Sequence, residues 1–163
     1  MTFLKPLPQH VKRLVARARA SLRLPRVAEM SLRLLRRAET LGERGELAAA
    51  KFLKRAGYRI ATTRLRQRYG EIDIVAVDGQ TVVFVEVKTR RLDLTTQPAD
   101  AVDRVRQQRM TRAALAFLKY HNLLEYASRF DVIEVVWPAD AKEPTIRHIQ
   151  DAFPAVGRGQ MYN

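Results

Sequence analysis

Two short words hold the residues best suited to chemistry, Gly70-Glu71-Ile72-Asp73 and Val85-Glu86-Val87-Lys88. Both lie in stretches of otherwise β-branched and apolar residues, 71–77 (EIDIVAV) and 81–88 (TVVFVEVK), joined by the turn signal Asp78-Gly79-Gln80. The pattern is a β-hairpin whose strands read as buried, so Asp73, Glu86 and Lys88 interrupt it with charge. Side chains alternate across a strand, which puts Glu86 and Lys88 on one face and Val85 and Val87 on the other. A two-residue loop at Gly79-Gln80 sets Asp73 directly opposite Glu86. A loop at Asp78-Gly79 sets Asp73 opposite Phe84, with Glu86 its diagonal neighbour. Either register gathers the three charges on one face, whereas an unbulged three-residue loop would send Asp73 to the other.

Two carboxylates that close repel by roughly 4 kcal/mol at about 4 Å and an effective dielectric near 20. A cation or a proton must compensate. A divalent metal held by Asp73 and Glu86 would neutralise both and leave Lys88 to face water or a phosphate oxygen. The plainer alternative is a buried structural ion pair between Glu86 and Lys88.

The elements that must position these groups follow from periodicity. Residues 42–56 form a helix rich in Leu, Ala, Glu, Lys and Arg and ended by Gly57. Its apolar stripe is Ala49, Leu53 and Ala56 with Phe52 beside it; Arg44, Lys51 and Arg55 lie opposite. Glu46 falls on the apolar stripe, where an unpaired charge costs several kcal/mol. It either reaches a cation or shares a proton, or is simply a first-turn glutamate favoured by the helix dipole. Tyr58 to Thr63 reads as a strand, and Arg64, Arg66 and Arg68 then alternate along one edge. Those guanidiniums suit forked donation to a phosphate backbone, or serve as a solvated edge that discourages strand pairing. Thr89-Arg90-Arg91 extends the basic edge, and Leu92 to Gln97 is a loop able to cover the site. Pro98 suits a first helical turn, with a helix over 99–120 whose core side is Val102, Val105, Ala113, Phe117 and Tyr120. Arg129 to Trp137 is a strong strand stopped by Pro138, and Thr145 to Ile149 a last short one. Asp131 reads as structural and Trp137 as a core or edge residue.

The ordered words Gly42-Glu43-Arg44-Gly45-Glu46, Ala56-Gly57-Tyr58, Gly70 to Ile74, Val83 to Arg90, Arg129 to Ile133 and His148 to Phe153 resemble the YraN-like uncharacterised protein family (family 0102). Gly-Glu-Ile-Asp followed by Val-Glu-Val-Lys is similar to the Asp…Glu-x-Lys core of the wider PD-(D/E)xK nuclease superfamily. The resemblance implies an α/β, restriction-endonuclease-like fold: a mixed five-stranded sheet flanked by helices, related to Holliday-junction resolvases. It implies Mg²⁺- or Mn²⁺-dependent phosphodiester hydrolysis in nucleic acid, DNA above all, with branched DNA included. Asp73, Glu86 and the main-chain carbonyl of Val87 would ligate the metal. Glu46 would hold a second metal or its water, and Lys88 would orient or deprotonate water. Arg64, Arg66, Arg68, Arg90 and Arg106 are the nucleic-acid contacts this reading selects. The chain departs from the family at Arg64, where asparagine is usual, and near Arg106, where lysine is usual. A non-catalytic nucleic-acid-binding protein of the same fold is the main rival, although pure binding would tolerate loss of these acids.

Composition sets the outer bounds. A length of 163 residues with 47% hydrophobic content suits one core domain, here 41–155, with an extension at 1–40 and a tail at 156–163. The absence of cysteine excludes disulfides, zinc–cysteine sites and thiol catalysis, and the simplest compartment is the reducing cytoplasm. His10, His121 and His148 are scattered, and no phosphate-binding glycine loop or repeat occurs. The net charge of +13 and pI near 10.8 point to a polyanion, nucleic acid or an anionic membrane. Residues 1–40 carry 10 basic and 2 acidic side chains, so most of the excess lies outside the core domain. There Val11, Leu14, Val15, Ala18 and Leu22 follow helical spacing, as do Val27, Met30, Leu34, Leu35 and Ala38 after Pro25. Such an arm packs on the domain, or docks on phosphates, anionic lipid or a partner. A homodimer is also compatible with the chain.

Overall fold

A computed structural model describes residues 40–92, 102–138 and 141–157, with Ala16 alone before them. The helical patterns over 1–39, the loop after Leu92 and the tail after 157 lie outside the described residues.

Helix α1 spans Leu41–Arg55. Thr40 starts it with a capping box: its hydroxyl accepts from the Glu43 N–H at 3.2 Å, and the Glu43 carboxylate accepts from the Thr40 N–H at 2.8 Å. The first three strands follow as a meander, β1 (Arg59–Gln67), β2 (Gly70–Asp78) and β3 (Thr81–Leu92). Helix α2 (Arg104–Tyr120) crosses over to β4 (Ser128–Pro138), and β5 (Thr145–Phe153) ends the sheet. The strand order is β1-β2-β3-β4-β5; β3 and β4 run parallel and every other pair antiparallel. This α/β arrangement, one mixed five-stranded sheet with two helices among the described residues, is consistent with a restriction-endonuclease-like fold.

Each helix covers one face. Ala49, Ala50 and Leu53 of α1 pack on Ile60, Ile74, Val83, Val85, Ile133 and Trp137. Met110, Ala113, Ala114, Phe117 and Leu118 of α2 pack on Ile72, Val75, Phe84, Phe130 and Phe153. The central strands are therefore buried on both sides, which is why 74–77 and 82–85 read as near-continuous apolar runs. At Gly45 helix and sheet touch: an added Cβ would overlap the Thr89 hydroxyl and come within 2.7 Å of its Cβ.

Several expectations shift. Ala56 is exposed because it caps α1 and no longer faces the sheet. Helix α2 begins at Arg104, later than the expected 99, because the extended Asp103 caps it by accepting the Arg106 N–H at 2.8 Å. Val105 and Tyr120, expected in the core, are 59% and 70% exposed, and the buried stripe runs through Met110, Ala113, Ala114, Phe117 and Leu118. Extended backwards by one turn, that stripe meets Arg106. Strand β1 continues through Arg64 and Arg66 to Gln67, and β5 extends past Ile149 to Phe153.

Asp131 is fully buried and structural. It accepts from Arg129 Nε at 3.0 Å and from the Asp151 N–H at 2.9 Å, and it pairs with His148 Nε2 at 2.9 Å. Arg129 also reaches Asp78 and Tyr58.

Candidate active site

Helix and sheet bring Asp73, Glu86 and Glu46 towards one region by three routes. The hairpin register is that of the Gly79-Gln80 loop: Asp78 pairs with Thr81 and Ile74 with Val85, and Asp73 and Glu86 are the next residues of each strand. The ladder stops at Ile74 and Val85, and alternation breaks at the same place. Ile72 and Ile74, two apart, pack into different cores, Ile72 under α2 and Ile74 under α1. Asp73 sits at that break and turns its carboxylate to the main chain of β3, where the Val87 N–H donates to Oδ2 at 2.7 Å. On β1, Thr63 pairs with Ile74 and Leu65 with Ile72, so Arg64 lies across from Asp73; it takes a left-handed conformation at φ 55°.

Glu86 is 2% exposed and lies on the α2 side of β3, with Val82 and Phe84. Its Oε1 accepts from Arg106 Nε at 2.6 Å, while Oε2 is buried without a hydrogen-bond partner among the described residues. The expected alternative, an ion pair with Lys88, is replaced by this one. Lys88 stands two residues on, half-buried, close enough for its charge to favour ionised Glu86, and is paired in the sheet with Glu134.

The acids bear opposing forces. Burial pushes the Asp73 carboxyl up from 3.8 to about 7, the Glu86 and Glu46 charges add to this, and the Val87 N–H and Arg106 oppose it. Glu86 is also raised, by burial first and by Asp103, against the hydrogen bond and charge of Arg106 and the charge of Lys88. Neighbouring carboxyls that both resist ionisation call for a positive charge between them.

Glu46 lies on the α1 side, half-buried, and accepts from Arg64 Nε at 2.5 Å; Arg64 Nη1 also reaches Glu43 at 3.3 Å. Glu43, Glu46, Arg64, Arg66, Glu71 and Asp73 line most of a pocket of about 300 Å³ at the start of α1. Arg66 is exposed and 3.6 Å from Glu71, and Arg68 lies over the Tyr69 ring at 5.9 Å. Arg90 is half-buried on β3, across from Val136 of β4. Arg64 and Arg106 are thus held by carboxylates of the site itself. Sequence reasoning missed the Arg106–Glu86 bond; the signal was Arg106 standing on the buried stripe of α2.

A divalent ion suits part of this set. Asp73 and Glu86 are adjacent, hard oxygen donors, and Glu86 Oε2 has no competing bond. Mg²⁺ is commonly held by one or two carboxylates with waters and substrate phosphates completing its shell. Among the described residues no three acidic or histidine side chains converge on one point, because Glu46 is turned to Arg64. The Val87 main chain meets the set only through its N–H on Asp73, and Glu46 is held by Arg64.

The family model described as "Uncharacterised protein family UPF0102" matches residues 45–135, from the first turn of α1 to β4. A UPF0102 protein of Rhodopirellula baltica is 46% identical over 125 residues, covering 75% of each chain. One from Geobacter sulfurreducens is 48% identical over 114 residues, 69% of this chain and 88% of its own. One from Alkaliphilus metalliredigens is 42% identical over 115 residues, 71% of this chain and 98% of its own. By both measures this chain belongs to the uncharacterised protein family UPF0102.

Proposed function

We propose that the chain binds nucleic acid and hydrolyses its phosphodiester bonds with Mg²⁺ or Mn²⁺ held by Asp73, Glu86 and the main-chain carbonyl of Val87. The observation that carries this reading is the buried, unbonded Oε2 of Glu86 beside an Asp73 whose ionisation is suppressed. When bound, the cation would neutralise charge on the phosphate and make water a better nucleophile at neutral pH. Asp73 and Glu86 would hold it, Asp73 fixed by the Val87 N–H and Glu86 by Arg106. Lys88 would orient the attacking water and stabilise the negative charge that builds on the phosphate as the water oxygen bonds to phosphorus and the ester oxygen leaves. Glu46, released from Arg64, would accept a proton from that water or complete the ligand set. Arg66, Arg68 and Arg90 would contact the phosphate backbone, joined by Arg64 and Arg106 when their carboxylates are taken by the cation.

The test is cleavage of branched, single-stranded and duplex DNA with Mg²⁺ or Mn²⁺, beside Asp73→Ala and Lys88→Ala. The wild type should cut at least one substrate and neither variant should cut any; equal cutting by Asp73→Ala would sink the assignment.

One observation favours a second reading. Arg106 on Glu86 and Arg64 on Glu46 already compensate two of the three acids without any ion. A nucleic-acid-binding protein without catalysis fits that state. It predicts DNA binding unaffected by EDTA and no heat of Mg²⁺ binding, even with DNA present.

A further inference from the structure

On the far side of α1 from Glu46, a groove of about 550 Å³ runs between the helix and the ends of β4 and β5. Its cations are Arg44, Lys51 and Arg55, spaced along one face of α1, and Lys142 from the segment before β5; Glu143 is its one acid. All four cations are exposed, and among the described residues none is in an ion pair. The wall is apolar: Leu47, which is 47% exposed, Phe52 and Trp137. The Arg44 guanidinium lies over the Trp137 ring, 4.8 Å from its centroid, offering a flat cationic surface. Trp137 is 92% buried, and its Nε1 has no hydrogen-bond partner among the described residues.

We infer that this groove is a subsite for a single-stranded segment of nucleic acid, one to two nucleotides of which seat a base on the Arg44–Trp137 stack while Lys51, Arg55 and Lys142 take the phosphates. Charge complementarity selects a polyanion, and the apolar wall selects one with exposed ring faces. A duplex hides those faces in its own stack, whereas a single strand presents them. The volume is that of a small-ligand site. Residues 1–39 of the same chain are a poor occupant, since their own excess of basic side chains repels the groove.

The inference deepens the nuclease reading and rests on it for one step, the path of the strand. Glu43 and Glu46 line the acidic pocket, and Arg44, Leu47 and Ala48 line the groove, so the two share the first turns of α1. A strand with its phosphate at Asp73 and Glu86 can pass over the helix start into the groove. The substrate class is then a nucleic acid with a single-stranded portion beside the scissile bond, as at a flap, gap or branch.

Trp137 is the sole tryptophan of the chain, so its emission reports this groove alone. The full chain is titrated in EDTA with oligothymidylate, with a blunt duplex of equal length, and with phosphatidylglycerol vesicles, following tryptophan emission together with anisotropy of labelled DNA. Oligothymidylate should quench Trp137 saturably, and the duplex should do so far less. The variant Lys51→Glu/Lys142→Glu, both sites exposed and its fold checked by circular dichroism, should bind oligothymidylate about tenfold more weakly. DNA binding without a change in Trp137 emission, equal binding by the double variant, or a response to vesicles alone would overturn the subsite. Quenching without cleavage of any substrate would leave the groove standing and remove the nuclease.

Discussion

Asp73→Asn should make the protein more stable at neutral pH while removing its proposed activity. The folded state holds the Asp73 proton up to about pH 7, whereas the unfolded chain releases it near 3.8. Between those values the native state binds more protons than the unfolded one, so stability falls as pH rises through the window and stays low above it. Each pH unit is worth about 1.4 kcal/mol, which bounds the cost of ionised Asp73 at about 4 kcal/mol. The carboxyl is partly exposed and titrates together with Glu86, so roughly 1–3 kcal/mol is the realistic figure. Asparagine has the same shape, keeps an oxygen for the Val87 N–H and never ionises. In EDTA at pH 8 the variant should therefore melt higher by roughly 2–12 °C, at about 2–4 °C per kcal/mol for a chain of this size. The gap should narrow as pH falls towards 4.5, where the unfolded reference also begins to keep its proton. Urea or thermal melts from pH 4.5 to 8.5 measure it. A variant that is equally or less stable at pH 8 would refute the claim that this acid is held where its charge is unwelcome.

Other perturbations address the surrounding parts. Arg106→Gln leaves Glu86 buried with no cationic hydrogen bond; it should cost about 1–3 kcal/mol at pH 8 in urea melts, the partial exposure of Arg106 tempering the loss, and less at pH 5. Gly45→Ala drives a methyl into Thr89 and should destabilise by about 1–3 kcal/mol, with Thr89→Ala restoring much of it in a double-mutant cycle. Arg64→Asn suits the left-handed backbone and frees Glu46, so Mn²⁺ affinity by calorimetry should rise about threefold or more; an unchanged value would exclude Glu46 from the ligand set. Asp131 is held below its ordinary 3.8 by His148, Arg129 and the Asp151 N–H, which together outweigh its burial. Its contribution is present above that value and lost as pH falls through the folded one, so His148→Phe should flatten the acid side of the stability profile.

The hairpin was legible because its information is local. Loop length suffices to bring Asp73 and Glu86 to neighbouring places on the two strands, and the observed register is one of the two that the turn residues allow. The break in alternation at Asp73 left no trace in residue types, since isoleucine at 72 and 74 suits either core. Arg106 was legible as a charge but not as a partner. The expected core side took in Val105 and passed over Arg106, which stands one turn before Met110 and so falls on the buried stripe whichever residue starts the helix. Glu46 stood out correctly as an acid on an apolar stripe, yet its arginine comes from a left-handed residue 18 positions on, which no periodic pattern announces. Arg44, Lys51 and Arg55 were legible as a face opposite the apolar stripe of α1 but not as a groove, because Trp137 and Lys142, which complete it, arrive from elements far along the chain.

On the proposed reading, the two arginines would keep the acids compensated without an ion and still let one bind when substrate arrives. Each holds a carboxylate that the cation would need, so a metal alone must displace Arg64 from Glu46 and compete with the charge of Arg106 beside Glu86. A phosphate diester entering the same region changes that balance, because it offers the guanidiniums forked acceptors of their own. Arginine drawn to phosphate leaves carboxylate oxygens to the metal, and metal on the carboxylates releases arginine to the phosphate. Linkage makes the effect reciprocal: whatever factor nucleic acid adds to metal affinity, metal must add to nucleic-acid affinity. A chain arranged this way avoids the unpaired buried charge that a cluster of acids alone would impose, and on the proposed reading it would assemble its full charge complement only with ion and substrate both present.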